Sequence, residues 1–280
     1  MRSPDRTSRS PGGRTAGAAA LCLALCLALC PALCTGAPSG ASAGETGFPV
    51  GETLRYRLRW GLIPVGEGTL STRWIERDGR RLVAIRATAR TTAVVAAIYP
   101  VNDMIESIVD PETMLPLSCA QDLDQGWERE KDVVVFDHAA GKARWRCLLS
   151  GETMELDIAP DTRDALSLMY EMRRRGMAPG ESASFRVLVD NKLYDLHVTA
   201  YDLEQVALPG YGTRPCLRVE PLAKFGQIFI RKGRMHFWFS SDRRRVCARI
   251  EGHIPLVGVN AVLTGVEGPG DDSWVRAPGR

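Results

Sequence analysis

The sequence predicts a mainly β fold: a strongly curved antiparallel sheet or partly closed β-barrel with one central amphipathic helix packed against it. Three observations carry this. Short runs of alternating apolar and polar residues recur along the chain, separated by turn signals. They number about fifteen, more than a flat open sheet usually carries, so the sheet is expected to curl or close. Only one long run, Asp161 to Gly176 (DTRDALSLMYEMRRRG), has clear helical character, and it divides the chain into two β-rich halves.

The first segment belongs to neither half. Arg2, Arg6, Arg9 and Arg14 form a basic start, Ala18 to Leu29 an apolar run, and Ala41-Ser42-Ala43 a small-x-small cleavage pattern. Such a run is the length of a signal-peptide core and too short to span a bilayer comfortably. Residues 1–43 are therefore expected to be a cleaved secretory signal and the mature protein periplasmic, with no membrane span. Leucine precedes each of Cys22, Cys26, Cys30 and Cys34, where a bacterial lipoprotein signal needs a small residue. The formal net charge of +3 belongs to this segment, because four arginines and one aspartate leave with it. The remainder is formally neutral, which gives no electrostatic support for a nucleic-acid partner.

The strands follow in order. Gly51 to Trp60 alternates Leu54, Tyr56, Leu58 and Trp60 against Arg55, Arg57 and Arg59. Val65 to Glu76 carries Leu70, Thr72 and Trp74 on one face, and Asp78-Gly79 is a strong hairpin signal. Arg81 to Thr92 returns with Val83, Ile85, Ala87 and Ala89 inward, and Ala93 to Tyr99 reads as one helical turn. Val101 to Val109, Leu115 to Leu123, Arg129 to Asp137, Ala143 to Leu149 and Thr153 to Ile158 complete the first half.

The helix, expected over 162–175, has Asp161 as its N-cap, and Ala165, Leu168, Met169 and Met172 form its apolar face. Arg173, Arg174 and Arg175 occupy the last turn, where cations are favoured, and Gly176 follows at the C-terminus. Beyond it, Ser184 to Val189 and Leu193 to Tyr201 flank an Asp190-Asn191 turn. Cys216 to Glu220, Gln227 to Arg231, Met235 to Phe239, Val246 to His253 and Val257 to Val266 follow, with a turn at Lys232-Gly233. One β-rich domain is thus expected over 44–267, with a flexible tail over 268–280.

Motifs for chemistry are few. Gly66-Glu67-Gly68-Thr69-Leu70-Ser71 nearly spells a dinucleotide fingerprint, but strand alternation follows where a helix is required. The better reading is a strand with glycines where it bends or another backbone approaches. Asp122, Asp124 and Gly126 fail the calcium-loop pattern at its fifth, sixth and twelfth places. His138, His197, His236 and His253 are scattered without metal-ligand spacing. No catalytic residue, metal or cofactor is read from the chain. Cys119, Cys147, Cys216 and Cys247 remain after cleavage. In an oxidising compartment Cys216 with Cys247 and Cys119 with Cys147 are candidate disulfides, and buried thiols acting as small hydrophobes are the alternative.

Trp60, Tyr99, Tyr170 and Trp238 lie beside element ends or apolar faces. They are either core or the lining of an apolar cavity between sheet and helix, with Arg173 at its rim or capping the helix. Three functions stay open: binding of a lipid or other envelope amphiphile, a scaffold for an envelope protein partner, and a hydrolase of envelope polymers. The last would need groups such as Asp164, Arg173 and His236 to converge.

Several separate motifs resemble one family. Tyr56 to Gly68 (YRLRWGLIPVGEG) is similar to the opening of the bacterial envelope proteins grouped as domain of unknown function number 3108. Tyr99-Pro100, Asp110-Pro111, Leu115-Pro116 and Phe136-Asp137 match its next landmarks. Asp164 to Arg173 resembles its central helix, and Lys232-Gly233, Trp238 and Asp242 its late hairpin. The resemblance spans about residues 48–266, with Val246-Cys247 departing where a proline is expected. It implies an exported β-rich domain and no established activity.

Overall fold

A computed structural model describes residues 47–225, 228–229, 234–254, 257–269 and 274. Residues 1–43, expected to be a secretory signal, and the expected Lys232-Gly233 turn lie outside the described residues. The first half contributes β1 (Thr53–Trp60), β2 (Ile63–Arg77), β3 (Arg80–Thr91), α1 (Ala93–Ala96), β4 (Asn102–Val109), β5 (Pro116–Gln125), β6 (Glu128–Asp137), β7 (Lys142–Cys147) and β8 (Thr153–Asp157). After α2 (Ala165–Arg175) come β9 (Ser182–Val189), β10 (Lys192–Leu208), β11 (Gly212–Phe225), β12 (Ile228–Phe229), β13 (Arg234–Ser240), β14 (Cys247–Ile254) and β15 (Val257–Glu267).

Among the described residues, fifteen strands form one antiparallel sheet, ordered β8-β7-β6-β5-β4-β3-β2-β1-β15-β14-β13-β11-β10-β9, with β12 on β11. The two halves join where β1 pairs β15, from Thr53 opposite Glu267 to Trp60 opposite Val259. The predicted turns form as expected: Arg77 faces Arg80 and Val189 faces Lys192 across two-residue loops. Asp78, Gly79, Asp190 and Asn191 all have positive φ, the twist that suits tight hairpins.

The ladder does not close, yet the sheet curls until its ends meet. The segment after β8 lies along the free edge of β9: Arg163 N–H donates to Arg186 and its carbonyl accepts from Leu188. Phe136, Ala143, Ile158 and Leu188 then form one apolar cluster drawn from both ends.

This edge pairing also moves the start of the helix. Asp161 does not cap it but pairs with Arg186 at 2.8 Å. Residue 163 is held in the extended bridge to Val187, so helical backbone begins only afterwards. Asp164 is the N-cap, accepting from Ser167 N–H while the Ser167 hydroxyl takes the Asp164 N–H. Gly176 ends the helix at φ 61°.

The helix lies within the curl rather than against one side of it. Ser167 through Arg173 are all buried, so the single apolar face expected from sequence becomes contact all round. Its polar members need internal partners. Arg173, fully buried, forms an ion pair with Glu52, and its Nε and Nη2 donate to the carbonyls of Arg245 and Arg244. Arg244 reaches the same carboxylate at 3.3 Å. Burial alone would lower the Arg173 pKa, but the Glu52 carboxylate beside it more than reverses that. Tyr170 stacks its edge on Phe48 at 4.6 Å. Trp274, in the segment expected to fray, is buried: it packs on Tyr211 and donates to Asp242 at 3.0 Å.

Glu52→Gln leaves Arg173 buried without a counter-charge. Urea unfolding is expected to show a loss of about 3–5 kcal/mol. Arg175→Gln, which removes a surface pair with Glu181, is expected to cost under about 1 kcal/mol.

Candidate functional site

The helix fills one end of the curl, and the other end is hollow. The cavity is about 1150 Å³, above the about 300–1000 Å³ of ordinary small-molecule sites. Its floor is the start of α2, at Asp164, Ala165, Leu166 and Met169. The space exists because the inward positions of successive strands are small. Gly66 and Gly68 on β2 face Thr91 and Ala89 on β3, while Ala87 and Ala261 continue the wall. A Cβ at Gly66 would run into the Arg90 carbonyl, so β2 is pressed onto β3 there, as the glycine reading anticipated. Leu58, Phe237, Ile250 and Met235 complete an apolar side.

The opposite wall, from β4 to β7 and β9, is more polar. Gln121 donates to Asp132 at 2.8 Å, and Asp103 accepts from the Asp124 N–H and the Gln125 amide. Asp190 and Lys192 complete this side. Burial pushes the Asp132 carboxyl above the usual range, against hydrogen bonds from Gln121 and Trp145 that favour its ionised form. It does the same to Asp164, against bonds from Ser107 and Ser167. Among the described residues, no group of three or more His, Cys, Asp or Glu could hold a metal ion.

The aromatic residues singled out from sequence are dispersed, and none of the five candidates is among the described residues lining the cavity. Trp60 stands half exposed at the end of β1, and Tyr99 packs over Gly126 near the mouth. Tyr170 and Arg173 belong to the buried plug, so Arg173 is not a rim charge. Trp238 alternates with the lining residue Phe237 and so faces away, donating instead to Glu204 at 2.8 Å. Asp164, Arg173 and His236 do not converge. Asp164 bonds Ser107, Arg173 pairs with Glu52, and His236 lies 3.6 Å from Glu220.

The candidate disulfides are absent among the described residues, where Cys119, Cys147, Cys216 and Cys247 are free thiols. Each candidate pair has a strand between its members. Cys119 and Cys147 both face β6, at Val134 and Asp132, while Cys216 and Cys247 both face β13, at Ser240 and Phe239. Two strand spacings are about 9–10 Å, beyond the roughly 4.4–6.8 Å between Cα atoms that a disulfide spans. Burial pushes the Cys216 and Cys247 thiols up to about 12, as befits small apolar fillers.

The family described as "Protein of unknown function (DUF3108)" matches residues 55–264. The chain belongs to the DUF3108 family. Among solved structures, this DUF3108 protein is similar to a "Beta-barrel-like Protein of Domain of Unknown Function DUF1849" from Brucella abortus. The TM-score is 0.53 at 9% identity, over 79% of this chain and 98% of that one. A putative lipoprotein from Parabacteroides distasonis aligns with TM-score 0.33 at 10% identity, over 79% and 98% of the two chains. None of the curated proteins matches. The first likeness supports the barrel-like fold alone.

The raised carboxyl on the polar wall gives a pH test. Asp132 titrates above the ordinary value of 3.8 in the folded protein. Its contribution is therefore fully present below pH 3.8 and lost as pH rises through the folded pKa. Asp132→Asn, which keeps an acceptor for Gln121, is expected to raise the denaturation midpoint at pH 7 and to leave it unchanged at pH 3. The comparison is made by urea titration at both pH values.

Proposed function

We propose that this DUF3108 protein is exported through residues 1–43 to the periplasm and there holds an apolar or amphipathic molecule, such as a lipid, between the curved sheet and α2. The observation that carries the reading is the hollow half of the curl. A sheet built only to be stable would fill its inward positions with large side chains, since interiors are normally close-packed. Here glycine and alanine stand at those positions on β2, β3 and β15. An apolar side opposite a polar wall suits a molecule with a chain and a head. No helix among the described residues is long and apolar enough to cross a membrane.

Mass spectrometry of gently purified protein and titration with a fluorescent fatty acid test the proposal. Bound amphiphile and saturable binding are expected. Ala87→Phe with Ala261→Phe, both at lining positions of the cavity, fills the space and is expected to weaken binding at least about tenfold, roughly 1.4 kcal/mol, with the circular dichroism spectrum unchanged. No co-purified amphiphile together with no saturable binding would reject the reading. For export, the N-terminus of protein recovered from the periplasmic fraction should lie just after Ala43.

A further inference from the structure

The two ends of the curl differ in what they expose. Hydrogen bonds tie each connection at the hollow end to a neighbouring strand or connection: Gly61 N–H to Gly258 O on β15, Thr92 N–H to Val65 O on β2, Gly126 N–H to Pro100 O and Leu148 N–H to Lys131 O on β6. These same connections carry large apolar side chains in solvent. Leu62 is 85% exposed at the β1–β2 tip, Val94 80% on α1, Ile98 79% in the turn after it, and Trp127 91% at the β5–β6 tip. Ile63 and Leu149 add to the ring, and Leu149 also lines the cavity. At the plugged end, the turns at Asp78-Gly79, Asp110–Leu115 and His138–Gly141 carry no exposed large hydrophobic.

We propose that this apolar crown docks the cavity mouth on the surface of a phospholipid bilayer. Trp74, Val135 and Leu203 stand exposed singly on strands elsewhere and need no explanation, but a set gathered on the connections of one end does. The side chains stand on four separate projections around an opening, not on one continuous face. A rigid protein would need a socket for each, whereas a fluid interface accepts all the tips together. Tryptophan at the outermost position suits the interfacial layer. Resting on the cavity reading above, docking mouth-down also gives a water-insoluble ligand a path that avoids water. Arg59, Arg129 and Arg146 lie near the tips with Glu128 and Glu152 among them. Apolar insertion rather than a one-sign charge patch therefore drives the contact, and salt should weaken it little.

Co-sedimentation with phosphatidylcholine vesicles at low and high salt tests this. The purified protein is expected to sediment with vesicles under both conditions. Leu62→Asp/Ile98→Asp/Trp127→Asp is expected to lose at least tenfold in vesicle affinity, while Leu203→Asp, an exposed apolar position on β10, keeps it. Fatty-acid titration without vesicles should be unchanged in the triple variant, which also shows that it folds. Retained sedimentation of the triple variant would overturn the proposal. So would self-association abolished by the same substitutions without vesicle binding, which would assign the crown to a second copy. Vesicle binding by a protein that takes up no fatty acid would instead sink the cavity reading and leave docking standing.

Discussion

Glu52 is the anion around which the middle of the chain is folded. Its carboxylate sits just ahead of β1 and holds Arg173 from the last turn of α2 and Arg244 from the β13–β14 connection. Three segments far apart in sequence thus meet at one buried charge. Neither partner can leave without stranding the other in a medium where an unpaired charge is costly. The carbonyls of residues 244 and 245 take further guanidinium hydrogens, so the helix is fixed in rotation and depth. A helix held by apolar contact alone could slide along a curved wall; one pinned by directional bonds cannot.

That pin decides where the protein is solid and where it is empty. Held deep at one end, α2 brings Tyr170, Leu168 and Met172 into the main core with Phe48 and the strands around them. It reaches only as far as Asp164 and Met169 toward the other end. Above that level small inward residues leave space that no element occupies. The closing of the curl by Arg163 and Leu188, rather than by a continuous ladder, keeps the wall complete on the side where the first and last strands in spatial order would otherwise part.

Much of this was legible in the residues. Alternation located the strands, and the dipeptides Asp78-Gly79 and Asp190-Asn191 located turns because their backbone twist is specific. The helix was evident from spacing, but its first residue was not. Asp161 and Asp164 are both good caps, and the choice was made by a tertiary contact, the pairing of Arg163 with the β9 edge. The sequence left Arg173 between the rim of a cavity and the cap of the helix, and neither is its place; nothing local tells Arg173 that Glu52 awaits it. The candidate lining was sought among aromatics, whereas the cavity is marked by what is missing. Gly66, Gly68, Ala87 and Ala89 were already readable as inward or bend positions, and their smallness was the available signal. Between disulfides and buried thiols, strand order decides, and cysteine spacing does not encode strand order.

The pairing of β1 with β15 has a consequence for how the molecule comes together. Thr53 meets Glu267 only after more than two hundred intervening residues have been synthesised. Contacts of such sequence separation close slowly, since loop entropy is lost before any contact forms. Until the final strand arrives, β1 and β14 each present a bare row of amide and carbonyl groups, a template for association with another chain. The nascent protein is therefore most vulnerable to aggregation just before its last strand is added, and a chain truncated ahead of residue 257 would stay in that condition permanently.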